Sequence, residues 1–343
     1  MGKRTLTGVT HGPCGFYRAI PARLCSVSLG LALAGCEAPL DLSGVEAQLA
    51  KPVQRSDLFQ AAARHQGTVI VVGAMGVVVH SADDGGSWQR SVLPGKPFLV
   101  DVASCPDGSF HAAEKSDGLW TLQPGGDWTR QDLPEMTEPQ AMTCDMANTL
   151  WVAGGFSSIY HSADAGASWE TWSLDEDLFL TTIQFVDALH GFATGEFGTV
   201  LASSDGGMSW ERASDLPDSF YPQGAYFASP SDGWAVGLDG IVWKTSTGGE
   251  TWQLLPSGIN TPLYGVAGLG SSLVAVGDNT TILHHHAGIG AWQPLEAADK
   301  SRTYLRAVAG LGNGKFVVAG GGSLFTVTIP DGSASASEVA GDE

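Results

Sequence analysis

Apolar and polar residues alternate in short runs along most of this chain, and glycine-rich breaks separate the runs. The stretch from Leu178 to Arg212, LFLTTIQFVDALHGFATGEFGTVLASSDGGMSWER, shows the unit: an alternating run, a second run ending in Gly195, a tight loop, a third run, a polar turn, then Trp210. Alternation with a period of two puts successive side chains on opposite faces of a strand, so the pattern predicts a β-meander and not helices.

The unit recurs. Tryptophans stand at 88, 128, 169, 210, 252 and 292, giving spacings of 40, 41, 41, 42 and 40 residues. Four short strands in every ~40 residues describe a propeller blade. First strands are counted seven times: LFQAAA near 58, FLVDVA near 98, QAMTC near 140, FLTTIQF near 179, FYPQGAYF near 220, LYGVAG near 263 and YLRAVAG near 304. The expected fold is therefore all-β, a seven-bladed β-propeller of four-stranded antiparallel blades over residues 47–332. The seventh unit stops at Pro330 without a tryptophan strand, and stepping back 40 from Trp88 lands in EAQLAKPVQRSD. Residues 47–55 are expected to supply the missing strand, closing the ring and covering an open sheet edge.

The first 35 residues break the pattern. They hold Lys3, Arg4, Arg18 and Arg23 and no acid, followed by the apolar run LCSVSLGLALAG and then Cys36. A basic start, a short apolar core and small residues before a cut describe a secretory signal, too short to span a membrane. Leu33, Ala34, Gly35 and Cys36 resemble the lipobox of bacterial lipoproteins, which implies acylation of Cys36; an ordinary cleaved signal with a coincidental cysteine is the alternative. Several acyl chains hold a protein on a membrane far more firmly than one. By the rule for such lipoproteins, Glu37 in place of an aspartate favours the outer membrane over the inner. Residues 36–46 then form a tether, and the polar SASASEVAGDE segment, 333–343, is expected to stay disordered.

Charge narrows the choice of partners. The chain has 17 basic and 36 acidic residues. Removing the first 35 takes four basic and no acidic residues, so the mature charge is 13 minus 36, or −23. Such a chain repels nucleic acid and anionic lipid, and neither is expected as a partner. Cys14 and Cys25 leave with the signal and Cys36 is taken by lipid, so Cys105 and Cys144 remain. Both lie near the ends of first strands in adjacent blades, and in an oxidising compartment they can pair.

Aligned on tryptophan, three turns read Ser-x-Asp-x-Gly-x-Ser-Trp: Ser81, Asp83, Gly85 and Trp88; Ser162, Asp164, Gly166 and Trp169; Ser203, Asp205, Gly207 and Trp210. This is similar to the Asp-box, or BNR, repeat. Its logic is local: the carboxylate accepts nearby backbone amides, glycine takes an angle other residues resist, and tryptophan packs into the sheet. One carboxylate per turn supplies too few ligands for calcium. His80, His161 and His284 share a repeat position, which keeps them apart on a ring, so neither a metal nor a cofactor is expected. Sialidase-like Asp-box hydrolases need clustered arginines, and the mature chain has seven, at 55, 64, 90, 130, 212, 302 and 306. Between second and third strands the loops GAMG, GGFS and GEFG carry Met75, Phe156 and Phe197 at one position, an apolar rim suited to a partner.

Over residues 47–330 the chain resembles the seven-bladed propeller family of photosystem II assembly and stability factors, through signatures such as GFATGEFGTVLASSDGGMSW and GWAVGLDGIVWKTSTGGETW. The resemblance implies a monomeric, non-catalytic scaffold that holds a membrane-protein or envelope-complex subunit during assembly. An Asp-box glycan-binding protein or glycoside hydrolase is the second reading.

Overall fold

The computed structural model describes residues 42–135, 138–286, 289–297 and 301–330. The chain divides into two units, Met1–Ser43 and Gly44–Glu343. The signal segment, Cys36 and the 333–343 tail lie outside the described residues.

Gly44–Glu343 holds seven antiparallel sheets in chain order. Blade one is Phe59–His65, Thr68–Gly73, Val77–Ser81 and Gln89–Val92; blade two is Leu99–Ser104, Phe110–Glu114, Gly118–Leu122 and Trp128–Asp132. Blade three is Ala141–Cys144, Leu150–Ala153, Ser158–Ser162 and Glu170–Ser173; blade four is Leu180–Phe185, Gly191–Gly195, Val200–Ser203 and Glu211–Arg212. Blade five is Gly224–Phe227, Gly233–Val236, Val242–Thr245 and Gln253–Leu255; blade six is Leu263–Leu269, Ser272–Gly277, Ile282–His286 and Ile289–Pro294. Blade seven is Leu305–Gly312, Lys315–Gly320 and Leu324–Thr328. The fold is the seven-bladed propeller that the repeat predicts.

Hydropathy follows position in the blade. Second strands such as Thr68–Gly73 are almost wholly buried, because blades cover both faces, and they read as continuous apolar runs. Outer strands such as Gln89–Val92 face solvent and are polar. The core is correspondingly divided, and each cluster joins two neighbouring blades. Blades one and two share Ile70, Val78, Val102 and Phe110 with Trp128 packed on them. Blades three and four share Ala153, Leu180 and Trp210. The pairing continues round the ring to blades six and seven, where Val276, Phe316 and Ile329 meet, and blades seven and one, where Val317 and Ala319 meet Val69 and Val79. The repeated tryptophan is thus a wedge against the preceding blade: Trp88 packs against the cluster of blades seven and one, and Trp292 sits in that of blades five and six.

Ring closure differs from the sequence expectation. Residues 47–55 form no strand: Ser43–Leu49 is a short helix, residues 51–53 are bends, and the seventh sheet has three strands among the described residues. Pro52 has no N–H to give a ladder, and the VEAQL sequence prefers a helical turn. The segment still fastens the ends of the ring. Leu58 makes an isolated antiparallel bridge with Gly321, the Gly322 N–H donates to Asp57 O at 2.7 Å, and Val53 packs against the cluster between blades seven and one. Asp57, 2% exposed, takes both nitrogens of Arg90 from the outer strand of blade one at 2.7 and 2.8 Å. Closure therefore runs through a loop and a buried ion pair.

Candidate functional site

The propeller has two ends. One carries the Asp-box turns, and the other carries the loops between second and third strands together with the starts of the first strands.

At the first end the three full Asp-box turns have one geometry. Ser81 Oγ donates to Asp83 Oδ1 at 2.7 Å and accepts the Gly85 N–H at 2.8 Å, while Asp83 accepts the Ser87 N–H and hydroxyl at 2.8 and 2.7 Å. Ser162, Asp164 and Ser168 repeat the arrangement, as do Ser203, Asp205 and Ser209. Hydroxyl donors lead the effect, Ser81 on Asp83, Ser168 on Asp164 and Ser209 on Asp205, and with the amides they hold all three carboxyls at about 2. Blade five keeps the turn with Thr247 in place of aspartate: its Oγ1 accepts the Thr251 N–H at 2.9 Å. A neutral hydroxyl serves as well, so the acceptor and not the charge is what the turn needs.

The glycine of each turn does something the sequence pattern does not reveal. Gly85 lies against Thr326 and Leu311 of blade seven, Gly166 against Gln131 and Leu119 of blade two, Gly207 against Trp151 of blade three, and Gly249 against Val200 and Ala213 of blade four. Each turn seats its blade on the one before it.

Other chemistry-bearing residues are spread out. Cys105 and Cys144 are disulfide-bonded, joining the first strands of blades two and three across 39 residues of sequence. By loop entropy a crosslink of that length contributes about 4 kcal/mol. His161 stacks on Trp151, while His285 stacks on Trp292 beside His284 and His286. Among the described residues no three His, Cys, Asp or Glu side chains could hold a metal ion. Arg64 and Arg90 of blade one, Arg130 of blade two and Arg212 of blade four are each engaged in ion pairs with carboxylates. A cleft of about 740 Å³ between blades one and two opens on this end, with His65, His80, Asp127 and Trp128 in its walls. Behind it Asp107, Ser109, His111 and Thr121 form a chain of hydrogen bonds, and burial holds the His111 imidazole down at about 4.

At the second end Met75, Phe156 and Phe197 are 60%, 45% and 64% exposed. Their φ angles are 58°, 52° and 57°, the left-handed region that a large side chain resists. In blades two, five and six the corresponding turns have Asp117, Asp239 and Asn279 at 56°, 56° and 53°, residues that tolerate the angle. Three large apolar side chains thus occupy strained positions without gaining burial. Tyr221 and Leu238 add exposed apolar side chains at the same end, in blade five.

Between these loops opens the axial channel. Its wall comes from the first strands of all seven blades, and its cavity is about 160 Å³. Asp101 stands in it, accepting the N–H groups of Val102 and Met142 at 2.8 and 2.7 Å. Enclosure by protein pushes its carboxyl up to about 6, against the lowering effect of those amides and of Arg306.

Residues 167–272 match the family described as photosynthesis system II assembly factor YCF48. Solved structures with the same fold include YCF48 from Cyanidioschyzon merolae, 14% identical, covering 81% of this chain and 97% of that one at a TM-score of 0.65. A structure titled YCF48 bound to D1 peptide is 14% identical, covering 81% and 93% at 0.68. Virginiamycin B lyase from Staphylococcus aureus, an enzyme, is 15% identical, covering 78% and 93% at 0.66. No curated protein matches the chain. The family match thus runs from the Asp-box turn of blade three to the start of the second strand of blade six, on a frame whose fold the solved YCF48 structures share.

Proposed function

We propose that this protein is a non-catalytic scaffold of the cell envelope that grips a membrane-protein subunit with the loop end of its propeller. Acylated Cys36 holds it on the membrane, the outer one in preference to the inner, and the propeller works as a monomer. The observation that carries this reading is the placement of Met75, Phe156 and Phe197: a left-handed backbone position under a large exposed apolar side chain costs stability and returns nothing within the chain. A partner that covers those side chains returns it. The YCF48 match over residues 167–272 supports the same reading, because that stretch includes the Phe197 loop.

The test is affinity purification from solubilised envelope with mass spectrometry, comparing the native protein with M75S/F156S/F197S. The triple variant is expected to fold normally and to lose the principal partner. Retention of every partner by a folded triple variant would reject the rim. Fractionation of C36S tests the anchor, which predicts release of the protein from the membrane.

A further inference from the structure

The seven first strands share a detail that the blade pattern hides. In five blades the ladder between first and second strands skips one residue: Gln60, Val100, Thr181, Tyr264 and Arg306 each fall at a bulge. In blades three and five, Gln140 and Gln223 precede the first strand at the matching position. A bulge releases a residue from the ladder and re-aims its side chain, and these seven residues all line the axial cavity. The ring thus presents three glutamine amides, a threonine hydroxyl, a phenol, an apolar valine and one cation.

That cation is unspent. Arg306 is exposed to the channel and, among the described residues, its guanidinium makes no ion pair, whereas Arg64, Arg90, Arg130 and Arg212 are all paired. Arg55 and Arg302 are also outside any ion pair among the described residues, but Arg306 alone of these lines a cavity, so in a chain with a net charge of −19 it marks a place where an anion can be drawn in. The nearby acids set the charge of that anion. Asp101 shares the cavity, and Glu196 and Asp278 act on the tyrosines Tyr221 and Tyr264 beside Arg306. A dianion such as phosphate meets more repulsion than one arginine offsets; a monoanion does not. The planar fork of a guanidinium fits a carboxylate through two parallel hydrogen bonds, and the glutamine amides supply donors and acceptors for the atoms next to it. Size sets the other limit. At about 160 Å³ the cavity has room for a carboxylate and some further atoms and lies below the roughly 300–1,000 Å³ of a drug-sized pocket.

We propose that the loop-end mouth of the axial channel is a carboxylate-binding site, with Arg306 as its anchoring cation and Gln60, Gln140, Gln223 and Tyr264 orienting the neighbouring polar atoms. The site stands apart from the rim and does not rest on the scaffold reading. The carboxylate comes either from a small free acid or from the C-terminus of a polypeptide entering along the axis.

The experiment titrates the purified protein with N-acetylglycine and with N-acetylglycinamide, following side-chain and backbone shifts by NMR. The acid is expected to bind and to move the Arg306 guanidinium resonance, and the amide to leave it in place. R306Q should weaken binding at least about tenfold, since a charge-assisted pair is lost, while R306K retains part of it. R306K keeps the charge that favours the Asp101 carboxylate and should match the native thermal midpoint, whereas R306Q loses it and should melt slightly lower while remaining folded. A free-acid pentapeptide that binds about tenfold more tightly than N-acetylglycine assigns the site to a chain terminus, and equal affinities assign it to a small acid. Equal binding of acid and amide, or undiminished binding to folded R306Q, would overturn the proposal.

Discussion

Gly207 of the blade-four Asp-box rests directly on the indole of Trp151 in blade three, so that a Cβ at Gly207 would overlap Cη2 of that ring. Trp151 has no room to retreat, being stacked on His161 at 4.6 Å and packed against Phe185 and Trp210 at 4.8 and 6.2 Å. Gly207 also has a φ of 85°. Overpacking typically costs about 1–3 kcal/mol and a left-handed residue about 1–2 more. G207A is expected to lower stability by about 2–5 kcal/mol in urea unfolding. Gly95 isolates the backbone part, with a φ of 76° and no atom within 4 Å of its would-be Cβ. G95A should cost about 1–2 kcal/mol, and equal losses in the two variants would show that the contact between blades contributes nothing.

The three Asp-box carboxyls make the fold sensitive to acid in a definite window. Each is held at about 2 in the folded chain, against 3.8 without its turn. A group with a lowered folded pKa stabilises above its unfolded value and loses that contribution as pH falls through the folded one. Native stability should therefore fall between pH 4 and pH 2. D83N/D164N/D205N keeps an acceptor in each turn, as Thr247 does in blade five, and should flatten that fall. Acid titration followed by tryptophan fluorescence checks it; an unchanged slope in the triple variant would remove these turns from the acid response.

Ring closure depends on Asp57. Removing one partner from a buried, bidentate ion pair leaves an uncompensated charge, at a cost of about 3–5 kcal/mol. R90A should lose about that much, because it strands the buried Asp57 carboxylate, and D57A somewhat less, because the Arg90 it leaves unpaired is more exposed. A double-mutant cycle measures the coupling, and additive losses would mean that closure rests on the packing of Val317 and Ala319 against blade one alone.

The repeat was legible because tryptophan wedges every interface from blades seven and one to blades five and six, and a residue required by geometry six times leaves a period. The axial ring was not legible, although Gln60, Val100, Thr181, Tyr264 and Arg306 occupy the same place in each first-strand string. A bulge breaks the alternation that identifies a strand, and its residues have no side-chain type in common. The Asp-box glycines were read as turn residues; turn angle and interblade contact both demand glycine, so sequence cannot separate them. Counting 40 residues back from Trp88 reached the right segment for closure but the wrong conformation, since position in a repeat does not reveal that Pro52 interrupts a ladder or that Asp57 substitutes for one.

Two buried groups set opposite pH dependences, and their cancellation can be undone. Asp101 keeps its proton to about pH 6 in the folded chain but only to 3.8 when unfolded, so raising the pH between those values makes the folded state less stable. His111 stays neutral down to about 4 when folded but takes a proton below 6.5 when unfolded, so raising the pH over nearly the same range makes the folded state more stable. Each shift of roughly two pKa units corresponds to about 3 kcal/mol. His284 and His285, also lowered by burial, add to the histidine side. With the histidines outweighing the one carboxyl, the native protein should gain stability from pH 4.5 to 6.5, by less than its histidines alone would give. D101N loses one backbone acceptor, a penalty that does not depend on pH, and should become more stable with rising pH by up to about 3 kcal/mol relative to the native slope. H111Q should shift by a similar amount in the opposite direction. Urea unfolding at half-unit pH steps reads both slopes. If D101N and H111Q run parallel to the native protein, neither group titrates in the folded chain as its surroundings require.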